Sequence, residues 1–367
     1  MRGLYIHIPF CKFICSYCDF PKIMAKDDLK DKYIDRLILE LDSYQKYLNS
    51  IDTIFIGGGT PNSISLNNLE KLFIALKNRI NLNDIKEFTI ELNPEFVNLD
   101  LALLLKKYNV NRVSLGAQTI NEDTLKLLNR HHKKEDLINS INLLKSVGIN
   151  NINLDFMFGM PNTNLDMVKK DLEFIKSIPV THISYYCLIV EEKTKLIYEI
   201  NKGLYKPLDD DLESDLYYFI VNEMKKMGFH HYEISNFAKE GYESIHNLKY
   251  WDTLEYIGIG AGASGYLDSI RYDNNRVINK YLNEFKMDEY EINSFEKKQE
   301  FFMMGLRKVD GVSIKEYKNR FNSDPLLDFN IKKFLNNNLI IIDEDKIKIA
   351  SDKLFISNLI FEEFVGD

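Results

Sequence analysis

The sequence contains little cysteine, little tryptophan and no excess of positive charge. Its 367 residues include four cysteines and one tryptophan, and the formal net charge is -8 at pH 7. A negative net charge speaks against a nucleic-acid partner, because binding to phosphate backbones depends on clustered lysine and arginine. No apolar run approaches the ~20 residues of a membrane-spanning helix. We therefore expect no nucleic-acid partner and no transmembrane segment.

The start of the chain also lacks the regions of a signal peptide. Only ten residues precede the first cysteine, and they lead directly into a strand-like run. We therefore predict a cytoplasmic protein, and peripheral association with a membrane stays open. Because thiols are kept reduced in the cytoplasm, clustered cysteines are expected to bind metal rather than to form disulfides.

Short apolar or β-branched runs alternate with longer amphipathic segments, which is typical of parallel strands joined by helices. We predict six strands, at residues 4–8, 52–58, 87–93, 111–118, 151–159 and 181–188. Apolar residues at helical spacing predict helices at residues 27–48, 65–78, 99–109, 133–148 and 164–178. The expected fold class is α/β, a partial (β/α)6 barrel of the TIM type.

The pattern changes after residue 230, which suggests three regions. Residues 1–230 form the expected barrel, and residues 231–290 form an irregular extension rich in histidine, tyrosine and glycine. The glycine-rich stretch 258–265 lacks a following helix, so we expect a turn near the barrel mouth rather than a dinucleotide site. Residues 291–367 predict helices and a two-stranded hairpin, which together resemble a winged-helix module.

Three of the four cysteines, Cys11, Cys15 and Cys18, lie within eight positions. A closed tetrahedral zinc site would need a fourth nearby ligand. Cys187 is distant in sequence, and His7 is expected to be packed within a strand. An iron–sulfur cubane is normally held by four thiolates, so three would leave one iron open to a small molecule. We therefore favour an iron–sulfur cluster over zinc.

Other polar and glycine-rich motifs follow the predicted strands. In barrels of parallel strands, functional residues lie in the loops at the C-terminal ends of the strands. The unusual residues follow the first five strands, at Cys11, 57–61, 91–94, Gln118 and 155–161. We therefore expect them to meet on one rim of the barrel.

The segment "CKFICSYC" is similar to the C-x3-C-x2-C motif of radical S-adenosylmethionine (SAM) proteins. The resemblance implies a 4Fe-4S cluster whose open iron binds the methionine moiety of SAM, and reductive cleavage of SAM to a 5'-deoxyadenosyl radical. Further segments resemble the branch that contains oxygen-independent coproporphyrinogen III oxidase and, closest to this chain, the HemW haem chaperones. They are "LYIHIPFC", "YCDF", "GGGTPN", "ELNPE", "RVSLGAQ", "LNRHH", "NLDFMFGMP" and "HISYYCL".

The resemblance assigns SAM-site roles to matching positions of this chain. Tyr5 and Tyr17 correspond to aromatic contacts beside the cluster and SAM. The backbone of Gly58, Gly59 and Thr60 is expected to approach the methionine moiety, since glycine has no Cβ to prevent it. Four residues match the polar contacts of SAM, which suits a ligand with ammonium, carboxylate and hydroxyl groups: Glu91, Gln118, Arg130 and Asp155.

The segment "HNLKYW" matches the H-N-x-x-Y-W motif associated with the haem chaperones. Imidazole is a common axial ligand of haem iron, and aromatic rings pack well on a macrocycle. We therefore predict haem contacts at His246, Tyr250 and Trp251. A turn followed by buried aromatic residues is the structural alternative, and four rival histidines stay open as ligands: His131, His132, His230 and His231.

The resemblance distinguishes a haem carrier from the oxidase. The oxidase has a further cysteine two places after the third and an N-terminal extension, whereas this chain has Phe20 at that place. We therefore expect a protein that binds a 4Fe-4S cluster, SAM and haem as cargo, and delivers haem to haem-dependent apoproteins, respiratory ones among them. The alternatives are coproporphyrinogen III oxidation, another radical hydrogen abstraction, and a cluster that only stabilises the fold.

Overall fold

The computed structural model of the protein describes residues 1–365. Among these residues, no helix combines the length and apolar character needed to cross a membrane. The strands are β1 (Arg2–Ile8), β2 (Ile51–Gly58), β3 (Glu87–Leu92), β4 (Arg112–Gln118), β5 (Asn151–Phe158), β6 (His182–Cys187), β7 (His230–Glu233), β8 (Asn236–Ala238), β9 (Tyr256–Ile259), β10 (Ser264–Leu267), β11 (Ile270–Asn274), β12 (Lys286–Glu291), β13 (Val312–Ser313), β14 (Ile340–Asp343) and β15 (Lys346–Ile349). The helices are α1 (Asp27–Ser43), α2 (Leu66–Lys77), α3 (Leu99–Lys107), α4 (Glu122–Leu127), α5 (Lys134–Ser146), α6 (Leu165–Ser177), α7 (Lys195–Asn201), α8 (Asp210–Lys226), α9 (Ile245–Trp251), α10 (Ile278–Tyr281), α11 (Ser294–Gly305), α12 (Ile314–Phe321), α13 (Pro325–Asp328), α14 (Ile331–Asn336) and α15 (Ser357–Val365).

The main sheet confirms the predicted partial barrel. Strands β1 to β6 lie side by side in chain order, and each pairs in parallel with the next. The five predicted helical segments are confirmed as α1, α2, α3, α5 and α6, whereas α8, which follows β6, was not predicted. The expectation of an α/β fold with a partial barrel is therefore correct.

The two faces of this sheet carry different side chains. On β1, Leu4, Ile6 and Ile8 are fully buried in the core beneath the helices. Tyr5 and His7 alternate with them and therefore face the inside of the barrel. On β3 the same alternation directs apolar residues toward the helices and the carboxylates of Glu87 and Glu91 toward the inside of the barrel. The inner face is thus polar, and it is available for a ligand.

The segment after residue 230 extends the sheet at both edges. Strands β8 and β7 follow β6 at one edge, and β9, β10, β11 and β12 continue from β1 at the other. The glycine-rich stretch forms the turn between β9 and β10, as expected. Since β9 runs parallel to β1, this turn lies at the same rim as the cysteine loop.

The C-terminal region packs α11 against α15 and carries a small second sheet. The predicted hairpin is present as β14 and β15, but β13 pairs with β15 and makes the sheet three-stranded. The prediction of a two-stranded hairpin was therefore incomplete. A strand of two residues is too short to show an alternating pattern in the sequence.

A buried carboxylate connects the extension to the barrel. Glu40, on α1, accepts hydrogen bonds from the Gly260 amide at 2.8 Å, Asn274 Nδ2 at 2.6 Å and the Tyr281 hydroxyl at 2.5 Å. Burial raises the pKa of this carboxyl. The three donors belong to separate parts of the extension, so one side chain holds all of them against α1.

We expect Glu40→Ala to lower the free energy of unfolding by about 3 kcal/mol, because buried donors without partners cost ~1–3 kcal/mol each. Glu40→Gln keeps an accepting oxygen and should lose less. The measurement is urea unfolding followed by circular dichroism, with Glu135→Ala at an exposed position as the control. Equal losses in Glu40→Ala and the control would contradict the assigned role.

Candidate cluster and cofactor site

The three clustered cysteines lie in a loop that two backbone hydrogen bonds close at its base. The Ile23 amide donates to the Pro9 carbonyl at 2.8 Å, and the Cys11 amide donates to the Ile23 carbonyl at 3.0 Å. The loop therefore leaves the end of β1 and returns to the same place. The two hydrogen bonds therefore fix the backbone at the base of the loop, where Cys11 lies.

The middle of the loop is fixed by Ser16, which is almost fully buried. Its amide donates to the Leu128 carbonyl at 3.1 Å and its hydroxyl donates to the Leu127 carbonyl at 3.0 Å. Its own carbonyl accepts from the Leu196 amide at 2.8 Å. The cysteines on either side of Ser16 are thus held between the end of α4 and the start of α7.

The thiols of Cys11, Cys15 and Cys18 are free and half-buried. The Thr60 hydroxyl donates to the Cys11 sulfur at 3.6 Å, and Arg130 Nη1 donates to the Cys15 sulfur at 3.8 Å. Burial raises the pKa of Cys11 to about 11, which the hydrogen bond from Thr60 opposes. Donors of this kind stabilise the thiolate form that binds iron.

Within residues 1–365, no three histidine, cysteine or acidic side chains lie close enough to share one metal ion. A cubane does not require such closeness, because each thiolate binds a different iron. Cys187 and His7 lie elsewhere. Cys187 donates to Glu213 at 3.4 Å, and both ring nitrogens of His7 have partners.

A polar pocket, here called the cluster pocket, adjoins the three thiols. It brings together most of the residues that the resemblance assigned to SAM: Tyr17, Gly58, Gly59, Thr60, Glu91, Gln118, Arg130 and Asp155. Tyr17 comes from the cysteine loop after β1, and the others come from β2 to β5 and the loops that follow these strands. These residues therefore meet at one rim of the barrel, as the sequence predicts. Their contacts with SAM stay predictions.

Glu91 is the most strongly perturbed acid of the cluster pocket. Burial and the nearby charge of Asp155 raise its pKa to about 8, and the hydrogen bond from the Gly58 amide at 3.1 Å opposes this shift. A bound cation would favour the ionised form. Asp155 is held by the Ser114 hydroxyl at 2.7 Å and by Asn153 at 2.7 Å.

Two side chains of the pocket have buried polar atoms without protein partners. Arg130 donates to Asn93 at 3.1 Å and to the Gly116 carbonyl at 2.8 Å, but its Nε has no partner. Gln118 Oε1 has none either. Gln118 also has φ of 55°, in the left-handed region that side chains rarely adopt. Unpaired buried groups and backbone strain are features of ligand sites, so these residues fit a polar cofactor.

Gly59 is required by the close approach of two loops. A Cβ at this position would lie 2.9 Å from both the Cys11 sulfur and the Phe10 carbonyl oxygen. Its amide donates to the Ile8 carbonyl at 2.9 Å. The glycine therefore lets the loop after β2 pass beside the first thiol.

Three further residues of the cluster pocket were not singled out from the sequence: Asn93, Ser114 and Tyr186. Asn93 lies inside the quoted motif "ELNPE", and Ser114 and Tyr186 lie inside "RVSLGAQ" and "HISYYCL". Ser114 and Tyr186 occupy inward-facing positions on β4 and β6, and Asn93 directly follows β3, so the alternation along the strands was the available signal. Each contributes a polar atom to the wall.

Tyr5 lies in a neighbouring cavity rather than in the cluster pocket. This aromatic cavity has a volume of about 430 Å³ and is lined mainly by Tyr5, Phe20, Tyr250, Trp251, Tyr256, Tyr266, Arg271 and Met304. Phe20 is 62% exposed and lines both the cavity and the cluster pocket. The two sites are therefore adjacent, with Phe20 at their boundary.

Helix α9 carries the "HNLKYW" motif and is anchored inside the barrel. The Glu87 carboxylate accepts from the Ser244 hydroxyl and from the Ile245 amide, at 3.1 and 2.7 Å. Lys249 forms a buried ion pair with Asp52 at 2.7 Å. Acidic groups stabilise a helix N-terminus, so Glu87 supports the N-terminus that Ser244 caps. The two anchors come from the beginnings of β3 and β2.

His246 is buried and lines neither the cluster pocket nor the aromatic cavity as the structure describes them. Its Nδ1 is paired with the Thr53 hydroxyl at 2.9 Å and its Nε2 with the Tyr250 hydroxyl at 2.8 Å. Burial lowers its pKa to about 3. Tyr250 and Trp251 line the cavity, so the three predicted haem contacts do not share one surface.

The four rival histidines lie outside both sites. His131 packs against Phe13 with ring centroids 4.0 Å apart, and His132 pairs with the Ala117 carbonyl at 3.0 Å. His231 pairs with the Ile234 carbonyl at 3.1 Å. His230 is exposed beside Glu243. In the part of the chain that the structure describes, none of them lines either site.

Comparison with known proteins agrees with this geometry. Residues 5–175 match the radical SAM superfamily and residues 296–350 match the HemN C-terminal domain. The heme chaperone HemW of Lactococcus lactis is 37% identical over 100% of this chain and 98% of its own. HemW of Bacillus subtilis is 35% identical over the full length of both.

The chain belongs to the HemW family of radical SAM proteins. A solved structure of coproporphyrinogen III oxidase (HemN) from Escherichia coli superposes on this HemW family member with a TM-score of 0.87 and 17% identity, over 100% of this chain and 90% of the other. At that identity the two share a fold. Membership of the radical SAM family implies a 4Fe-4S cluster and SAM, and the cluster pocket fits both.

We expect the affinity of the cluster-loaded protein for SAM to rise about tenfold between pH 7 and pH 9. The Glu91 carboxyl has a pKa of about 8 and must lose its proton to face a cation, so affinity is low below pH 8 and levels off above it. Equilibrium dialysis of labelled SAM measures this. Glu91→Gln should lose this part of the pH dependence, and comparison of the two proteins cancels the titration of SAM itself. Identical profiles would contradict the role of Glu91.

We expect Gly59→Ala to weaken cluster retention roughly tenfold, because displacing a group that supports a metal ligand costs 10- to 100-fold in affinity. The measurement is the rate of iron loss to a chelator under anaerobic conditions. Gly241→Ala is the control, because Gly241 has a positive φ and nothing within 4 Å of an added Cβ. Equal loss rates in the two variants would contradict the role of Gly59.

Proposed function

We propose that this protein is a radical-SAM-type haem chaperone, which binds a 4Fe-4S cluster, SAM and haem and delivers haem to haem-dependent apoproteins. The observation that carries the proposal is the aromatic cavity next to the cluster pocket, with Tyr250 and Trp251 of the "HNLKYW" motif in its wall. The names of the relatives support it, since they are called heme chaperones. Respiratory apoproteins are the proposed recipients.

The residues of the cluster pocket have separate proposed roles. Cys11, Cys15 and Cys18 hold three irons and leave the fourth open. When bound, the cluster supplies one-electron chemistry at that open position. The glycine-rich loop after β2 gives backbone donors access to the methionine moiety, and Arg130 pairs with a carboxylate.

The carboxylates and aromatic rings complete the proposed SAM site. Glu91 and Asp155 accept from the amino or hydroxyl groups of SAM. Tyr17 and Tyr186 cover the nucleoside and exclude water, since both have partly buried rings in the pocket wall. Arg130 Nε and Gln118 Oε1, which have no protein partner, are available for further polar groups of SAM.

Phe20 supports the carrier over the oxidase. It occupies the place where the oxidase has its additional cysteine, and its ring lies between the cluster pocket and the aromatic cavity. A phenyl ring adds apolar surface for a flat ligand and provides no thiol. Oxidation of coproporphyrinogen III is the alternative that the experiment below distinguishes.

We expect the anaerobically reconstituted protein to bind haem and to transfer it to a haem-free acceptor such as apomyoglobin, which is followed by the change in the Soret band. With SAM and a reductant, it should not convert coproporphyrinogen to protoporphyrinogen. Cys15→Ser should lose the cluster and SAM binding. Formation of protoporphyrinogen, or no binding of haem by the loaded protein, would overturn the proposal.

A further inference from the structure

A carrier that binds haem through its iron must provide an axial donor, and the aromatic cavity offers few. Haem iron in proteins is bound by histidine, cysteine, methionine or tyrosine. His7 lines the cavity, but its Nδ1 is paired with the Tyr5 hydroxyl at 2.8 Å and its Nε2 with the Pro21 carbonyl at 3.0 Å. The remaining donors in the described wall are four phenols and one thioether: Tyr5, Tyr250, Tyr256, Tyr266 and Met304. Because the Pro21 carbonyl can only accept, His7 Nδ1 accepts the proton of Tyr5, and the Tyr5 hydroxyl is therefore committed as a donor.

His246 does not reach this wall. Its imidazole lies behind Tyr250 on the same face of α9, four residues earlier, as the helical period requires. The two rings meet edge to face with centroids 5.2 Å apart, and Nε2 lies 2.8 Å from the phenol oxygen. Exposing His246 would require breaking its bonds to both Thr53 and Tyr250.

Tyr250 is the cavity phenol whose buried imidazole partner is able to donate to it, whereas His7 accepts from Tyr5. The hydroxyl of Thr53 holds the other ring nitrogen at 2.9 Å, and a hydroxyl can donate or accept. The neutral imidazole can therefore donate its Nε2 proton to a phenolate at Tyr250, while Nδ1 accepts from Thr53. Burial raises the pKa of the Tyr250 phenol, and this hydrogen bond opposes that shift without placing a charge on the histidine.

We propose that the aromatic cavity holds haem and that the phenolate of Tyr250, with His246 as its positioning residue, is the protein ligand of the ferric iron. The inference rests on the proposed function and deepens it. On binding, the phenolic O–H bond breaks, an O–Fe(III) bond forms and the proton leaves to bulk water. The oxidation state of the iron does not change.

Other groups in the wall suit the periphery of the macrocycle. The volume of about 430 Å³ lies within the range of ~300–1,000 Å³ that is usual for ligand sites. Arg271 pairs through Nε and Nη2 with Glu300, both at 2.8 Å, and its Nη1 has only a 3.4 Å bond to the Tyr256 hydroxyl. Nη1 is therefore able to donate to a propionate carboxylate.

The test is a titration of the full-length, cluster-loaded protein with ferric haem, monitored by absorption and resonance Raman spectroscopy. We expect wild-type protein to show the charge-transfer band and vibrational modes of an iron-bound phenolate. Tyr250→Phe should lose both signatures and bind haem at least tenfold more weakly. His246→Ala should keep the phenolate modes at shifted frequencies, because the ligand remains and its hydrogen bond is lost.

Tyr256→Phe and Tyr266→Phe are the matched controls, since each removes one phenol from the same cavity and should keep the phenolate signature. Loss of the signature in either control, its persistence in Tyr250→Phe, or a nitrogen-ligated spectrum that His246→Ala abolishes would overturn the proposal. The wild-type spectrum decides the ligand class even if a variant fails to fold. Haem bound without phenolate modes overturns this inference alone, whereas no haem binding overturns the proposed function as well.

Discussion

Strand β1 pairs in parallel on both of its edges, with β2 on one side and with β9 on the other, and both sites depend on this double pairing. The pairing with β2 places the cysteine loop beside the glycine-rich loop, so that the thiols meet the polar ends of the neighbouring strands. The pairing with β9 extends the inner face of the sheet into the region after residue 230. There the inward-facing side chains are mainly tyrosines rather than carboxylates. One strand thus forms the boundary between a polar site and an aromatic site.

The interior of the half-barrel explains why the two sites keep their shapes. A polar inner face would be costly if its groups lacked partners. Here α9 closes the end of the barrel opposite the thiols, and the Glu87 carboxylate and the Asp52 ion pair satisfy its N-terminus and its lysine. The same helix presents Tyr250 to the aromatic cavity and holds His246 behind it. The "HNLKYW" motif, which the sequence predicts as a set of haem contacts, therefore contains a supporting residue, His246, and residues that line the cavity, Tyr250 and Trp251.

The sequence was informative where a feature is local. Alternating apolar runs predicted β1 to β6, and the cysteine spacing predicted the site on their rim, because both depend on neighbouring residues. The orientation of His246 could not be predicted, since its partner Thr53 is 193 residues away. The assignment of Tyr5 to the cofactor pocket did not foresee the adjacent cavity, whose walls come from β1, β9, β10, α9 and α11. Strand β13 was missed because a strand of two residues is too short to show an alternating pattern of apolar and polar residues.

The order of strands in the main sheet has a kinetic consequence. Its two end strands, β12 and β7, do not pair with each other in the part of the chain that the structure describes, so the barrel is open along one side. In a closed barrel, a rigid planar guest would have to thread through the mouth or wait for strands to separate. An open arc has no such requirement, because no inter-strand hydrogen bond joins its two edges in the described residues. The two edges can therefore move apart while the hydrogen-bonded sheet stays intact.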